Sequence, residues 1–477
     1  MKIAIFSTHA TWKTHLETEL EIAQDLINKG NTVHFYKCDN KIFSNCENIM
    51  SRALLDNLKS SEVRDEICNL CNLRQQNGFK LLDGDFSEFS IINQVEKSKD
   101  YKFDEELLVD IDSFKTLIYD DVFDIGWSIV SSLVSYTRNP FIKLTNYIDD
   151  IRTLYCETIK VYETAKEALN KELYDRIYVF NGRFSYTRGL IRLANKLNVP
   201  VFIHERGSVP EKYFVTINKT SFDIPYFYEC VNKHWDIGNF FFRYFKGRSF
   251  FKKKLNGFNG SWDSFTKNFD SNVLPIKFNK KRKNIIIFTS SEDEFVSIDE
   301  TWNNPFFKNQ LDGLIYLCEE YSKSEIDCFD IYIRIHPNSE KLNQEYLNKL
   351  YSLAEFKNVT VIEPNSKVSS YNLLFHCNRV ITFGSTLTIE SIFWGKPVIL
   401  LGNSLYNSFK GPIIPNSKDE IYTLCFKKKL NKPNNSDAIK IGYFLSNFGS
   451  EYKYYEPDDY INGKYRGVDL SVNENKK

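Results

Sequence analysis

At 477 residues the chain is longer than one ordinary hydrophobic core, so two domains are expected. Its 62 Lys+Arg are matched by 62 Asp+Glu, and a net charge of zero argues against general nucleic-acid binding, which needs a basic surplus. The hydrophobic fraction of 42% is globular, and no apolar run reaches the length of a membrane-spanning helix.

The first residues, Met1 to Ala10, read as a strand that soon turns polar and not as a signal peptide. The 10 cysteines are therefore expected reduced, and the compartment cytoplasmic. Lys2 to Phe6 predicts a strand. Leu16, Leu20, Ala23, Leu26 and Ile27 fall on one helical face that Gly30 ends, and Thr32 to Tyr36 predicts a second strand. This βαβ opening is the start of a doubly wound domain.

Residues 39–75 read as irregular. Cys38, Cys46, Cys68 and Cys71 group here, and Cys68-x2-Cys71 has metal-ligand spacing. Four thiolates would suit Zn²⁺ or an iron–sulfur cluster; the alternative is four free thiols, since the gap between Cys38 and Cys46 is not a standard zinc-ribbon spacing. Residues 76–175 read as mainly helical. Arg176 to Phe180 is a strand, Tyr186 to Leu197 a helix, Val201 to His204 a strand, and 206–233 a mixture of loop and strand.

Residues 239–258 hold seven Phe and six Lys/Arg with no acid. Three readings stand: a helix packing its Phe face on the core, an interfacial helix drawn to anionic lipid, or a basic wall for an acidic glycan. The Gly/Asn/Ser-rich stretch 259–282 reads as the inter-domain linker. Domains are expected at 1–265 and 283–415, with a tail at 416–477 that is helical and then loses pattern.

The strand pattern restarts at Asn284 to Phe288 and continues with Phe329 to Ile335, Val359 to Ile362, Val380 to Phe383 and Val398 to Leu401. Doubly wound sheets bind ligands at the carboxyl ends of their strands. Gly384-Ser385-Thr386 lies at such an end, before a helix. Its backbone N–H groups suit an anion, and equally an ordinary helix cap. Glu390, one turn in, could hold a ribose hydroxyl or stand in solvent. Thr289 to Glu294, Arg334 to Asn338 and Ser370 to Asn372 follow or precede strands of the same half and are expected on the same rim. Within them, Glu292, Asp293 and Glu294 also read as surface charge.

The succession SSEDE, RIHPN, SSYNLL, TFGST with its ES, and GKPVILLG resembles bacterial GT-B glycosyltransferases of capsule and lipopolysaccharide synthesis over most of residues 284–402. It is most similar to the His-Pro motif enzymes that use CMP-linked Kdo or sialic acid. The resemblance implies an α/β chain of two Rossmann-like doubly wound domains facing a cleft, with a C-terminal helical tail. It implies that Ser290, Arg334, His336, Asn338, Ser370, Tyr371, Gly384, Ser385, Thr386 and Glu390 hold a nucleotide-sugar donor. His336-Pro337 takes the His-Pro role, Ser385 and Thr386 the Ser/Thr role, and Glu390 that of the acidic residue facing the nucleotide. The few cations favour CMP over UDP or GDP.

In the first half, the base that deprotonates the acceptor is sought among Glu205, Glu17 and His15. Many GT-B enzymes carry a Gly before the base histidine and a Pro within the next turn. Here Thr14 and Glu17-Thr18-Glu19 stand instead. The Asp/Glu-Gly motif of several sialyltransferases has no match near the start, so sialic acid is not implied. Catalysis is expected to need no metal, with a glycan or glycolipid as acceptor. Residues 239–258 would provide a peripheral contact with the inner face of the membrane. The alternatives are a nucleotide-sugar epimerase of the same fold and a non-catalytic scaffold of a polysaccharide assembly complex.

Overall fold

The computed structural model describes residues 1–38, 46–56, 58–256, 273–342 and 344–472. The chain forms two compact units, Met1–Ser221 with Gly449–Lys477, and Phe222–Phe448. Each is a doubly wound α/β structure. No helix among the described residues is long and apolar enough to cross a membrane.

In the first unit the strands are β1 (Lys2–Ser7), β2 (Thr32–Lys37), β3 (Phe86–Ser90), β4 (Arg176–Phe180), β5 (Val201–Arg206) and β6 (Lys212–Ile217). The helices are α1 (His15–Asn28), α2 (Glu47–Leu55), α3 (Ser60–Lys80), α4 (Gln94–Ser98), α5 (Ile111–Lys115), α6 (Ile125–Thr137), α7 (Ile148–Lys171) and α8 (Ser185–Lys196). β1 is buried from Ile3 to Ser7, as a central parallel strand covered on both faces must be. It pairs in parallel with β2 on one side and β4 on the other. The chain runs outward through β2 and β3, then returns to the other side of β1, so the loops after β1 and β4 flank the switch point.

In the second unit the strands are β7 (Lys283–Phe288), β8 (Phe329–Arg334), β9 (Val359–Ile362), β10 (Arg379–Thr382), β11 (Val398–Leu400) and β12 (Pro412–Ile413). The helices are α9 (Ile224–Ile237), α10 (Phe240–Leu255), α11 (Gln310–Lys323), α12 (Gln344–Ser352), α13 (Ser370–Phe375), α14 (Leu387–Phe393), α15 (Lys418–Tyr422) and α16 (Ser436–Asn447). All six strands are parallel, in the order β12-β11-β10-β7-β8-β9, and the switch point lies between β7 and β10.

Several sequence expectations change here. Much of the stretch read as irregular is helix, α2 at Glu47–Leu55 and α3 at Ser60–Lys80, and β3 adds a strand within the stretch read as helical. The boundary between units falls at Ser221/Phe222, ahead of the expected linker, of which residues 259–272 lie outside the described residues. The cause is packing. Val231 of α9 and Phe250 and Phe251 of α10 join the core made by Phe393, Ala438 and Ile439. α9 and α10 therefore belong to the second unit although they precede its sheet.

The tail beyond Phe448 returns to the first unit. There β13 (Ser450–Glu451) pairs antiparallel with β6. Glu21 of α1 accepts the backbone N–H groups of Lys453, Tyr454 and Tyr455 at 2.7, 2.9 and 3.1 Å. Thr18 meets the Tyr452 hydroxyl at 2.6 Å. The polar side of α1, solvent-facing by its sequence pattern, is buried under this strap.

Candidate functional site

The rim of the second sheet is set by strand register. Phe288 pairs with Thr382 on one side and Arg334 on the other, so β7, β10 and β8 end on one row. Ser290, Gly384 and His336 each lie two residues past that row. Neighbouring strands are about 4.8 Å apart, so these loops leave the sheet within ~10 Å of one another. The Ser290 loop and the Gly384 turn flank the switch point, where such sheets form their binding crevice.

Gly384 has φ +123°, a conformation side-chain-bearing residues rarely adopt, and it turns the chain sharply off β10. The Ser385 hydroxyl accepts the Leu387 N–H at 3.3 Å, a local cap. The N–H groups of Gly384, Ser385 and Thr386 have no acceptor among the described residues. Across the crevice the Ser290 N–H donates to the Gln310 side chain at 2.7 Å, and its buried hydroxyl has no partner. His336 is held by its own N–H, which donates to Thr289 Oγ1 at 2.8 Å. Its Nδ1 accepts the Asn338 N–H at 3.2 Å, which places the ring proton on Nε2 and makes that atom a donor. Asn338 in turn donates to Glu294 at 3.0 Å. Ser370 is half-buried at the start of α13, where Ser369 and not Ser370 caps the helix.

Three residues expected at the ligand are engaged inside the unit. Arg334 is buried and donates to the carbonyls of Glu363, Pro364 and Ser366, tying down the loop after β9. Burial lowers its pKa to about 10. Glu390 is buried, and its two oxygens accept Lys254 Nζ at 2.8 Å and the Tyr371 hydroxyl. Arg334 is thus a loop brace. Glu390, Tyr371 and Lys254 are an internal network that fixes α14 to α10 and α13. The sequence does not single out Lys254, because its partner lies 136 positions away.

Glu292 and Asp293 are buried, not surface charge. Glu292 accepts the Gln310 N–H at 2.7 Å and the Tyr346 hydroxyl at 3.1 Å. Burial, with Asp312 and Asp293 nearby, pushes its carboxyl up to about 7. It lies in the wall of a hollow shared with Trp302, Asn303, Lys308, Phe383 and Asn403, beside the same switch point. Its place directly after the first strand of the unit is the signal that could have marked it.

In the first unit the corresponding switch point is lined by the loops after β1 and β4. Glu205 is buried at the end of β5, and its carboxylate accepts from the Asn181 amide. Burial raises its pKa. Asn181 and Gly182 have φ +58° and +88°, a left-handed turn off β4. His15 packs its ring 3.8 Å from that of Phe180, and its Nδ1 has no partner. Burial lowers its pKa well below the usual value, with Arg206, His204 and His9 adding to the effect, so it is neutral at pH 7. Thr14, just before it, is strained at φ +72°.

Glu17 does not join this group as a free base. Its Oε1 accepts Arg74 Nη2 at 2.6 Å in a fully buried ion pair between α1 and α3. A group missed at the sequence level is His9, two residues past β1. Its ring meets Thr8 Oγ1 at 2.5 Å and Glu47 at 2.8 Å, and Glu47 also accepts from Ser132.

Among the described residues no group of three or more His, Cys, Asp or Glu is placed to hold a metal ion. Cys46 and Cys68 pack against the small core of Ile49, Val63 and Ile67, while Cys71 packs against the core under α1. Burial raises all three thiols, Cys71 to about 12, which keeps them protonated. Cys38 is half-buried.

No curated protein sequence matches the chain. Among solved structures, the Thermosulfurimonas dismutans KpsC β-Kdo 2,4 transferase is similar at 13% identity and TM-score 0.36, over 56% of this chain and 79% of that one. The β-Kdo 2,7 transferase of the same protein is similar at 12% identity and TM-score 0.36, over 59% and 80%. The Methanocaldococcus jannaschii UDP-GlcNAc 2-epimerase is similar at 13% identity and TM-score 0.27, over 94% and 99%. Residues 271–413, the segment that contains every residue expected to hold a donor, match the family described as capsule polysaccharide biosynthesis protein.

Proposed function

We propose that this chain is a glycosyltransferase of bacterial surface-polysaccharide synthesis, moving a sugar from a CMP-linked donor bound by the second unit to a glycan acceptor. The observation that carries the reading is the pairing at the switch point. Three backbone N–H groups without acceptors at Gly384 to Thr386 follow β10, the strand beside β7, after which comes Ser290, whose buried hydroxyl also lacks a partner. A buried hydroxyl without a partner is costly, and open N–H groups at a helix N-terminus favour an anion, so one phosphate would serve both.

In this mechanism the N–H groups of the turn and the Nε2–H of His336 stabilise the charge that develops on the departing phosphate. With Arg334 engaged by backbone carbonyls, the rim offers dipoles and one imidazole, which suits one phosphate better than two. The first unit takes the acceptor. Glu205 is the group best suited to accept a hydroxyl proton, because burial raises its pKa and so makes its carboxylate a stronger base.

A thermal-shift series with CMP, UDP, GDP and dTDP tests the donor. CMP should raise the melting temperature most, and His336→Ala should weaken the shift. Absence of a shift with all four, or an unchanged shift in His336→Ala, would overturn the assignment. Turnover of a nucleotide sugar to its epimer with no acceptor present would instead favour an epimerase.

A further inference from the structure

α10 carries six Lys/Arg and no acid along its 16 residues. Its inner face is locked in place. A Cβ on Gly247 would stand 2.2 Å from the Ile439 carbonyl oxygen, and one on Gly442 would stand 2.6 Å from that of Gly247. α10 and α16 thus cross backbone to backbone. Phe251 stacks on Phe393 with centroids 4.3 Å apart, and Lys254 binds Glu390. The helix cannot roll to hide its other side.

That other side is apolar and exposed. Phe240, Phe241 and Phe245 are 62%, 81% and 69% exposed, and Ile237 just before the helix is 77% exposed. Phe241, Tyr244, Phe245, Arg248 and Lys252 follow at helical spacing, so rings at the N-terminal end and cations at the C-terminal end share one stripe. A contiguous exposed patch of large rings marks an interaction site.

We infer that this face of α10 docks the protein on an anionic bilayer surface. Phe240, Phe241, Tyr244 and Phe245 enter the boundary between headgroups and acyl chains, and Arg248 and Lys252 meet the headgroups. Charge complementarity selects the partner: every charged side chain of the helix is cationic. An acidic glycan would account for the cations, but not for a ridge of neighbouring rings projecting from successive turns. The inference does not depend on the proposed activity. It does place the docking face on the helix that supplies Lys254 to the network behind the Gly384 turn.

The test is co-sedimentation of the full chain with vesicles of phosphatidylglycerol and phosphatidylcholine, against vesicles of phosphatidylcholine alone. Binding should require phosphatidylglycerol and fall as salt rises. Arg248→Gln/Lys252→Gln should weaken it, by roughly five-fold per charge removed. Phe241→Ser/Phe245→Ser should weaken it at least ten-fold, with an unchanged melting temperature because both side chains already stand in solvent. Equal binding to both vesicle types, no binding to either, or full binding by Phe241→Ser/Phe245→Ser would overturn the inference. So would a dimer in sedimentation velocity that Phe241→Ser/Phe245→Ser abolishes, since a second copy would then be the occupant.

Discussion

Arg74→Met separates a structural from a catalytic role for Glu17. Arg74 is 1% exposed and donates to Glu17, to the Ala10 carbonyl at 2.7 Å and to Ser471 at 2.6 Å. Removing the guanidinium leaves Glu17 buried, and its Oε2 already lacks a partner. Breaking a buried ion pair from one side costs about 3–5 kcal/mol. For a unit of this size that lowers the melting temperature by roughly 6–20 °C. Scanning calorimetry of Arg74→Met, Glu17→Met and the double variant gives a double-mutant cycle. Each single variant should lower the transition of the first unit. The double variant should recover part of the loss, because two apolar side chains leave no buried charge behind. If both singles melt like the parent protein, or the double variant loses the sum of the two, the ion pair does not hold α1 to α3. Glu17 then returns as a candidate base.

Gly384→Val should abolish the CMP-induced thermal shift and destabilise the second unit by about 1–3 kcal/mol, because a β-branched residue cannot adopt φ +123° without strain; an unchanged shift would show that the turn does not meet the nucleotide. Glu292 has a folded pKa of about 7 against an ordinary 4.5, so its contribution is fully present below pH 4.5 and is lost as pH rises through 7. Glu292→Gln should therefore flatten the fall in stability of the second unit over that window, and a urea-unfolding series with the same pH slope as the parent would contradict this. Glu21→Ala removes the acceptor of three backbone N–H groups of the C-terminal strap and should cost on the order of 3 kcal/mol. Proteolysis should then cut first between Gly449 and Tyr465; an unchanged digestion pattern would mean that the strap is held otherwise.

The rim of the second unit was legible in the sequence because its chemistry is local. A strand, a glycine turn and a helix within 24 residues announce Gly384 to Thr386, and His336-Pro337 follows its own strand directly. Roles that depend on distant partners were not legible. Arg334 and Glu390 have the residue types of ligand groups, yet carbonyls 29 to 32 positions away engage the first, and Lys254 engages the second. Glu17 differs from an exposed helix carboxylate only through Arg74, and nothing near it in the sequence shows that. Three of the four cysteines share a neighbourhood, but on the walls of two separate cores.

The sequence by itself determined that the chain alternates strands and helices in two doubly wound halves, and which loops lie at the carboxyl ends of the second sheet. Those features follow from hydrophobic period and glycine placement, which are properties of short segments. Tertiary structure alone decided that α9 and α10 belong to the second unit, that the tail straps α1 of the first, and which face of the Phe/Lys helix is buried. The period of α10 offers aromatic rings on both sides. Only the close crossing at Gly247 and Gly442 turns Phe250 and Phe251 inward and leaves Phe241 and Phe245 outside.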